Sequence, residues 1–126
     1  MNDRQTKIPG PDHPIIVTPT EGHVVVKLNG QTVADSRHAL TLKEASYPPV
    51  QYIPLSDVDP ELLASSDHKT WCPYKGEASY YSLPIGGERS VDAIWSYRDP
   101  HEAVEAIRGH VAFYPDRVDS IEILQA

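Results

Sequence analysis

The chain has 126 residues with a single cysteine, and hydrophobic residues make up 40% of it. This length suits one domain with its own core and leaves no room for two domains of ordinary size. Eleven Lys and Arg residues against 18 Asp and Glu residues give a formal net charge of −7. That charge argues against nucleic-acid and anionic-membrane partners, because both require a basic surface. The lone Cys72 excludes an internal disulfide and a cysteine-rich zinc site.

The N-terminal segment, residues 1–13, is predicted to be a flexible tail, since Pro9 and Pro11 interrupt any regular element. This segment lacks the apolar core of a signal peptide, and no run approaches the roughly 20 apolar residues of a membrane span. We therefore expect a cytoplasmic protein in which residues 14–126 form one domain. Twelve prolines in 126 residues are about twice the usual ~5%. We expect them at strand edges and in turns, and this much proline argues against a helical bundle.

Alternating apolar residues and turn signals predict short strands along the rest of the chain. His23–Leu28 precedes Asn29 and Gly30, the strongest short signal for a hairpin, and Gln31–Asp35 is the returning strand. The same patterning predicts further strands at Ala39–Lys43, Val50–Ile53, Ala78–Ile85, Val91–Tyr97, His110–Tyr114 and Val118–Leu124. We expect the strands on either side of Gly86 to pair as a central antiparallel hairpin.

Two Asp-Pro pairs predict short helices, since a capping carboxylate followed by proline suits a first helical turn. One helix begins at Asp59 and Pro60, and the other begins at Asp99 and Pro100 and ends before Gly109. The pattern as a whole predicts a compact, mainly β, antiparallel domain. It would have about seven or eight short strands and two short helices in a sandwich-like or tent-like packing.

The densest group of reactive and aromatic side chains spans Trp71–Tyr81 and begins in a predicted loop, Thr70–Gly76. Lys75 follows Cys72 by three residues, and a neighbouring ammonium favours the nucleophilic thiolate. The alternatives are that Cys72 is a small buried apolar residue and that Lys75 is an exposed turn lysine. Glu44 follows a predicted strand, where a carboxylate either serves as a base or acceptor in a cleft or is simply solvated.

The candidate metal ligands have simpler explanations. Asp57-Val58-Asp59 has the spacing of paired ligands, but Asp59 fits better as a helix cap and Asp57 as a turn residue. His68 and Cys72 are four residues apart, which is not diagnostic outside a helix, and zinc needs three or four ligands. We therefore predict no metal and no cofactor. The six histidines are expected at the surface or in hydrogen bonds.

Several specific runs of residues occur between about residues 22 and 118. They are Val33-Ala34-Asp35-Ser36, Leu42 with Glu44, Tyr52-Ile53-Pro54, Cys72-Pro73-Tyr74-Lys75-Gly76, Ala78-Ser79-Tyr80-Tyr81, Ala93-Ile94-Trp95-Ser96-Tyr97 and Val111-Ala112-Phe113-Tyr114. In these runs the sequence resembles the domain-of-unknown-function family 427, a family of small bacterial and fungal proteins. The resemblance implies a β-tent, in which two antiparallel sheets meet at an angle with a pocket between them.

The β-tent class includes the methionine-sulfoxide reductase B enzymes, which hold zinc with two Cys-x-x-Cys pairs. It also includes the thalidomide-binding domain of cereblon, which uses an aromatic cage. The single Cys72 supports neither zinc binding nor reductase chemistry in this chain. A nucleotidyltransferase label attached to the family finds no support either, because no Gly-Ser precedes a strand-borne pair of acids.

Our leading prediction is a small-molecule pocket walled by aromatic side chains with a few polar groups, which is how such pockets are built. The predicted ligand-binding residues are Tyr52, Lys75, Tyr80, Trp95 and Tyr97. Glu44 and Lys75 as a charged pair suit a small polar ligand that is anionic or zwitterionic.

Two alternatives remain open for the same cleft. An enzyme would use Glu44 as general base and Cys72 or Lys75 as nucleophile or electrostatic stabiliser. In a non-catalytic interaction module the aromatic residues, Trp95 and Tyr97 among them, would belong to the core. The sequence does not indicate an oligomeric state.

Overall fold

The computed structural model describes residues 5–125, which form two antiparallel sheets. The strands of this part of the chain are β1 (Ile15–Pro19), β2 (His23–Leu28), β3 (Gln31–Ser36), β4 (Leu40–Glu44), β5 (Val50–Pro54), β6 (Ala64–Cys72), β7 (Gly76–Ser82), β8 (Ile94–Ser96), β9 (His110–Phe113) and β10 (Ser120–Leu124). The larger sheet has the order β1-β4-β5-β9-β8-β7-β6, and the smaller has the order β10-β2-β3. The predicted mainly β, antiparallel fold is confirmed.

The smaller sheet is built around the predicted hairpin. Asn29 and Gly30 both have positive φ, 50° and 77°, and they join β2 to β3 with Leu28 opposite Gln31. Two consecutive left-handed residues are what a tight two-residue hairpin turn requires. The third strand, β10, pairs with the other side of β2, with Ile121 opposite Val26.

The larger sheet has an apolar core on each of its two faces. One core joins it to the smaller sheet and includes Val24, Val26, Leu28, Val33, Ile53, Leu83, Ile94, Val111 and Phe113. The core on the opposite face includes Leu42, Tyr52, Ala78, Tyr80, Tyr97, Val104, Ile107 and Ala112. Neighbouring residues such as Tyr52 and Ile53 therefore face opposite cores, as the alternation of side chains along a strand requires.

The two halves of the larger sheet meet at a short seam between β5 and β9. Only two residue pairs join these strands in the described chain, Ile53 with Val111 and Pro54 with His110. On one side of the seam lie β5, β4 and β1, and on the other side lie β9, β8, β7 and β6. Side chains from both halves can thus meet over the same face of the sheet.

The structure corrects the predicted loop at Thr70–Gly76 and adds two strands. Residues up to Cys72 belong to β6, and the turn to β7 is short, with Gly76 already in β7. β6 is polar and largely exposed, and its register shifts between Ser65 and Lys69, so it lacks the alternation of a half-buried strand. The other unpredicted strand, β1, lies at the opposite edge of the sheet.

The predicted strand Val91–Tyr97 is shorter in the structure, since β8 begins only at Ile94. Asp92 has a positive φ of 53°, which is incompatible with a continuous strand at that position. Ala93 consequently packs in the core shared by the two sheets, whereas Trp95 and Tyr97 contact the opposite core. The alternation of Val91, Ala93, Trp95 and Tyr97 predicts that these four side chains share one face, and that prediction is wrong.

Both predicted helices form as short 3₁₀ segments, Pro60–Leu62 and Glu102–Ile107, and the second is kinked at Val104, where φ is −125° and ψ is 28°. Asp59 caps the first, since its carboxylate accepts a hydrogen bond of 3.0 Å from the Glu61 backbone N–H. Asp99 does not cap the second helix but accepts a hydrogen bond from Arg108. The structure also has 3₁₀ helices at Leu55–Asp57, Pro84–Ser90 and Pro115–Arg117.

The N-terminal segment, residues 1–13, falls partly outside the described residues, and a flexible tail stays a prediction. From residue 5 onward the segment passes the turn between β6 and β7, where the Lys7 backbone N–H donates to the Pro73 carbonyl at 2.9 Å. Gly10 and His13 pair in an isolated bridge close to the start of β1. None of the helices among residues 5–125 is both long and apolar enough to cross a membrane.

Candidate functional site

A cleft of about 410 Å³ lies on the face of the larger sheet turned away from the smaller sheet. Its lining combines tyrosines, one tryptophan and a lysine–glutamate pair, and we call it the aromatic cleft. The lining residues are Leu42, Glu44, Tyr47, Pro48, Val50, Tyr52, Lys75, Tyr80, Trp95, Tyr97 and Tyr114. The five predicted ligand-binding residues and Glu44 are thus brought together around one cavity.

The aromatic cleft spans the seam of the larger sheet. Tyr52 reaches it from β5 on one side, and Tyr80 and Trp95 reach it from β7 and β8 on the other. Tyr80 and Trp95 are directly opposite each other in the β7–β8 ladder, so their side chains stand on the same face. Strand pairing alone therefore fixes three of the walls.

The charged centre of the site is an ion pair between Lys75 and Glu44. The Lys75 ammonium donates to Glu44 Oε1, and the two side chains are only 9% and 15% exposed. His13 Nε2 lies 2.8 Å from the other carboxylate oxygen and completes a chain of three groups. Burial alone would raise the pKa of the Glu44 carboxyl, but hydrogen bonds and charge from Lys75 and His13 outweigh it and lower the pKa. Glu44 is consequently ionised at neutral pH.

The turn between β6 and β7 brings Lys75 back toward Cys72. The Lys75 backbone N–H donates to the Cys72 carbonyl, and Lys75 Nζ lies 3.8 Å from Cys72 Sγ. Gly76, at φ 112°, follows Lys75 in a conformation that favours glycine. The half-buried thiol is thus in contact with the ammonium, as the enzyme alternative requires. The three predicted catalytic residues, Glu44, Cys72 and Lys75, form a continuous line of contacts.

Aromatic contacts hold the cleft walls in position. Trp95 Nε1 donates to the Tyr52 hydroxyl at 3.1 Å, and the two rings meet edge to face with centroids 6.3 Å apart. Tyr114 packs against the other side of Trp95 at 4.5 Å. The Tyr80 hydroxyl is hydrogen-bonded to the Thr70 hydroxyl at 2.8 Å across the β6–β7 pair. Rotation of these rings is therefore restricted before any ligand arrives.

Three tyrosine hydroxyls of the cleft, those of Tyr52, Tyr97 and Tyr114, are protonated at neutral pH. Burial raises the pKa values of Tyr52 and Tyr97 well above the ordinary value of 10. Burial, together with the neighbouring Tyr80 hydroxyl, raises the pKa of Tyr114 to about 12. Within residues 5–125, the Tyr97 hydroxyl forms no hydrogen bond, so its proton remains available to a ligand acceptor.

Most of the chain matches the model of a protein family. A family model described as "Domain of unknown function (DUF427)" matches residues 16–123. The chain belongs to the DUF427 family. A separate search of curated proteins found no match to the chain.

Four residues in or beside the aromatic cleft are not predicted from the sequence. His13 lies in the predicted tail, yet its ring stacks on Tyr74 with centroids 4.0 Å apart and planes 6° apart. Tyr47 and Tyr114 line the cleft from the β4–β5 connection and from the end of β9. Tyr74, in the β6–β7 turn, lies in the Cys72–Gly76 run that carries the family resemblance, but it is not among the predicted ligand-binding residues. The aromatic types were visible in the sequence, but their convergence depends on pairing between distant strands.

The other residues considered as metal ligands do not line the aromatic cleft. Asp57 accepts a hydrogen bond of 2.5 Å from the Ser36 hydroxyl, and Asp59 is the helix cap described above. The His68 ring packs on Tyr80 with centroids 4.6 Å apart. Among residues 5–125, no three His, Cys, Asp or Glu side chains group together as a metal site.

Proposed function

We propose that the aromatic cleft binds a small polar ligand. The observation that carries this proposal is the nearly buried Lys75–Glu44 pair at a cavity walled by fixed aromatic rings. Removing a charged pair from water is costly unless its mutual attraction and hydrogen bonds offset the loss of hydration. Here the pair holds an ammonium beside a cavity large enough for a small molecule. Cavities of roughly 300–1,000 Å³ with a few convergent polar groups are typical of small-molecule sites.

The chemistry of the cleft favours a ligand with an anionic group and a flat or apolar part. Lys75 and the protonated hydroxyls of Tyr52 and Tyr97 supply donors, which suit a carboxylate or another anion. Glu44 compensates part of the positive charge and would accept a hydrogen bond from a ligand amine, so a zwitterion also fits. The Trp95 face offers a surface for an apolar group or a ring.

The first experiment is thermal unfolding of the full chain with a panel of amino acids, carboxylates, nucleobases and nucleotides. A ligand at about 100 times its Kd should add about 2.7 kcal/mol of stability, a shift of several degrees. No shift with any member of the panel would favour the non-catalytic interaction module.

The Tyr97→Phe variant tests the cleft without disturbing the fold. It removes a hydroxyl that bonds to no described residue, so stability should change little while affinity for any compound found falls about tenfold. Tyr81→Phe is the matched control, because the Tyr81 ring packs in the core on the other face of the sheet. Equal affinities of the two variants would place the ligand elsewhere.

The second candidate is an enzyme in the same cleft, favoured by the contact between Cys72 Sγ and Lys75 Nζ. The ammonium would stabilise the thiolate, which is the nucleophilic form. Glu44 suits an electrostatic role better than that of a general base, because its pKa is lowered. If a compound that binds the cleft is also turned over, loss of its turnover in Cys72→Ser, with binding retained, would favour this candidate. Unchanged turnover in Cys72→Ser would remove the thiol from the mechanism.

A further inference from the structure

A second cavity, of about 460 Å³, lies behind the β6–β7 hairpin. It shares no lining residue with the aromatic cleft, and we call it the hairpin cavity. It is lined by Lys69, Trp71, Gly76, Glu77, Ser79, Arg98, Asp99 and His101. Two opposed pairs of the β6–β7 ladder, Lys69 with Ser79 and Trp71 with Glu77, contribute half of this lining. The next residue, Tyr80, faces the aromatic cleft, so the two cavities use opposite faces of the hairpin.

The floor of the hairpin cavity contains a buried hydroxyl with a proton to donate. Ser79 is only 5% exposed, and its oxygen accepts a hydrogen bond of 2.9 Å from Lys69 Nζ. No acceptor for the hydroxyl proton is found among the residues that the structure describes. Lys69 itself is exposed and forms only this side-chain hydrogen bond in the same part of the chain, so two of its N–H groups remain free.

His101 adds a buried polar atom that lacks a partner. Its Nδ1 is inaccessible to solvent and forms no hydrogen bond with residues 5–125. The ring packs edge to face on Trp71 at 5.3 Å, and the His101 backbone N–H donates to the Lys75 carbonyl at 3.0 Å. Gly76 makes this close approach possible, since a Cβ there would lie 3.4 Å from the imidazole ring. A buried imidazole nitrogen without a partner is costly, which marks His101 as a strained polar group in the wall of the cavity.

Arg98 gives the hairpin cavity its second cation. Its guanidinium lies 5.9 Å from the centre of the Tyr81 ring and 3.4 Å from the Tyr81 hydroxyl, which leaves most of its five donors free. Of the two carboxylates in the lining, Asp99 is 93% exposed and bonds to Arg108. Glu77 is the other and is exposed. The polar groups of the cavity are therefore mainly donors, although the chain as a whole carries a net charge of −7.

We propose that the hairpin cavity binds a phosphate group, either free or carried by a small metabolite. Four kinds of polar side chain line it: the Ser79 hydroxyl, the Lys69 ammonium, the Arg98 guanidinium and the His101 imidazole. Donors from several elements suit a tetrahedral oxyanion, and guanidinium groups bind phosphate with paired hydrogen bonds. This site is independent of the proposed function of the aromatic cleft.

Titration of the full chain with inorganic phosphate at constant ionic strength, followed by NMR, tests the proposal. We expect saturable shifts of the Ser79 amide and of the His101 imidazole signals. Arg98→Gln should weaken binding about tenfold, because it removes charge-assisted hydrogen bonds. Arg37→Gln is the matched control, since it removes the same charge from an exposed position outside the cavity, and it should change affinity less than about twofold.

Two further measurements distinguish specific phosphate binding in the hairpin cavity from non-specific electrostatic attraction of anions. Ser79→Ala should weaken phosphate binding while Tyr97→Phe, in the aromatic cleft, should leave it unchanged. Tighter binding of ribose 5-phosphate than of inorganic phosphate would identify a metabolite as the source of the group, and the reverse order would identify free phosphate. Absence of saturable binding, or equal weakening by Arg98→Gln and Arg37→Gln, would overturn the proposal.

Discussion

Glu44 connects the N-terminal segment, β4 and the β6–β7 turn through a single carboxylate. One of its oxygens accepts from Lys75 and the other from His13. Hydrogen bonds that involve a charged group contribute about 1.5–3 kcal/mol each, more than neutral ones do. Such a residue orders the cleft as well as giving it charge, because each partner comes from a different part of the chain.

The Glu44→Gln substitution should lower the free energy of unfolding by about 2 kcal/mol at pH 7. The pKa of Glu44 is lower in the folded chain than its ordinary value of 4.5. The carboxylate therefore contributes its full stabilisation above about pH 4.5 and loses it as the pH falls through the lowered pKa. Urea unfolding at pH 7 and at pH 3 should show the difference between wild type and variant shrinking at acid pH.

Glu105→Gln is the matched control for this experiment. Glu105 also has a lowered pKa, through a hydrogen bond from Arg108, but it is exposed to solvent. Exposed ion pairs contribute little, so its substitution should alter stability far less at either pH. A Glu44→Gln deficit that is the same at both pH values would contradict the ionic origin of the effect.

The residue types of the site could be predicted from sequence, but not all of their contacts. Glu44, Lys75 and Trp95 were predicted because charge and aromatic character are local properties. His13 was not predicted, because its contacts with Glu44 and Tyr74 join residues 31 or more positions apart. Nothing in the local pattern around His13, with prolines on both sides, distinguishes a mobile segment from one packed against a turn.

The β6–β7 hairpin is the element on which both cavities depend. Alternation along its strands directs Tyr80 to the aromatic cleft and Ser79 to the hairpin cavity. Its turn positions Lys75 for the ion pair and, through the Lys75 carbonyl, the backbone of His101. A change in this turn should therefore affect both faces of the hairpin.

Gly76→Ala tests the importance of the turn. At φ 112° a side chain is strained, and the added Cβ would lie 3.3 Å from the Asp99 carbonyl oxygen. We expect a loss of about 1–3 kcal/mol in the free energy of unfolding, measured by urea denaturation. Gly30→Ala is the control: its φ is also positive, at 77°, but no atom lies within 4 Å of the added Cβ. An equal or larger loss in Gly30→Ala would contradict this account of Gly76.

Prediction of the elements succeeded where a strand had a buried face. The β2–β3 hairpin was predicted because an apolar run that includes Val24 and Val26, both buried in the structure, is followed by the Asn29-Gly30 turn. β6 was predicted partly as loop, since an exposed edge strand with a register shift has no buried face to impose a pattern. The helices were recognised by their Asp-Pro starts, but such starts do not specify how many turns follow.

At the scale of the whole molecule, the two sheets depend on one shared core. Buried side chains from β2 and β3 pack against those of β5, β8 and β9, including Ile53 beside the seam. The seam itself has only two residue pairs in the described chain, so backbone hydrogen bonds contribute little to joining the halves of the larger sheet. Side-chain packing beneath the seam must supply most of the connection, and with it the geometry of the aromatic cleft.

Ile53→Ala should therefore destabilise the entire molecule rather than one sheet. Ile53 is 1% exposed, and truncating a buried isoleucine costs about 2–5 kcal/mol. Fluorescence of Trp71 and Trp95 reports on the larger sheet, which contains both residues, and far-ultraviolet circular dichroism reports on both sheets. We expect the two signals to give the same urea midpoint in wild type and the same lowered midpoint in the variant.

Val91→Ala is the control for this experiment. At a position 52% exposed, it should change stability by less than about 0.5 kcal/mol. Separate midpoints for the two signals would mean that the sheets unfold independently, and the shared core would then not be what holds the cleft together.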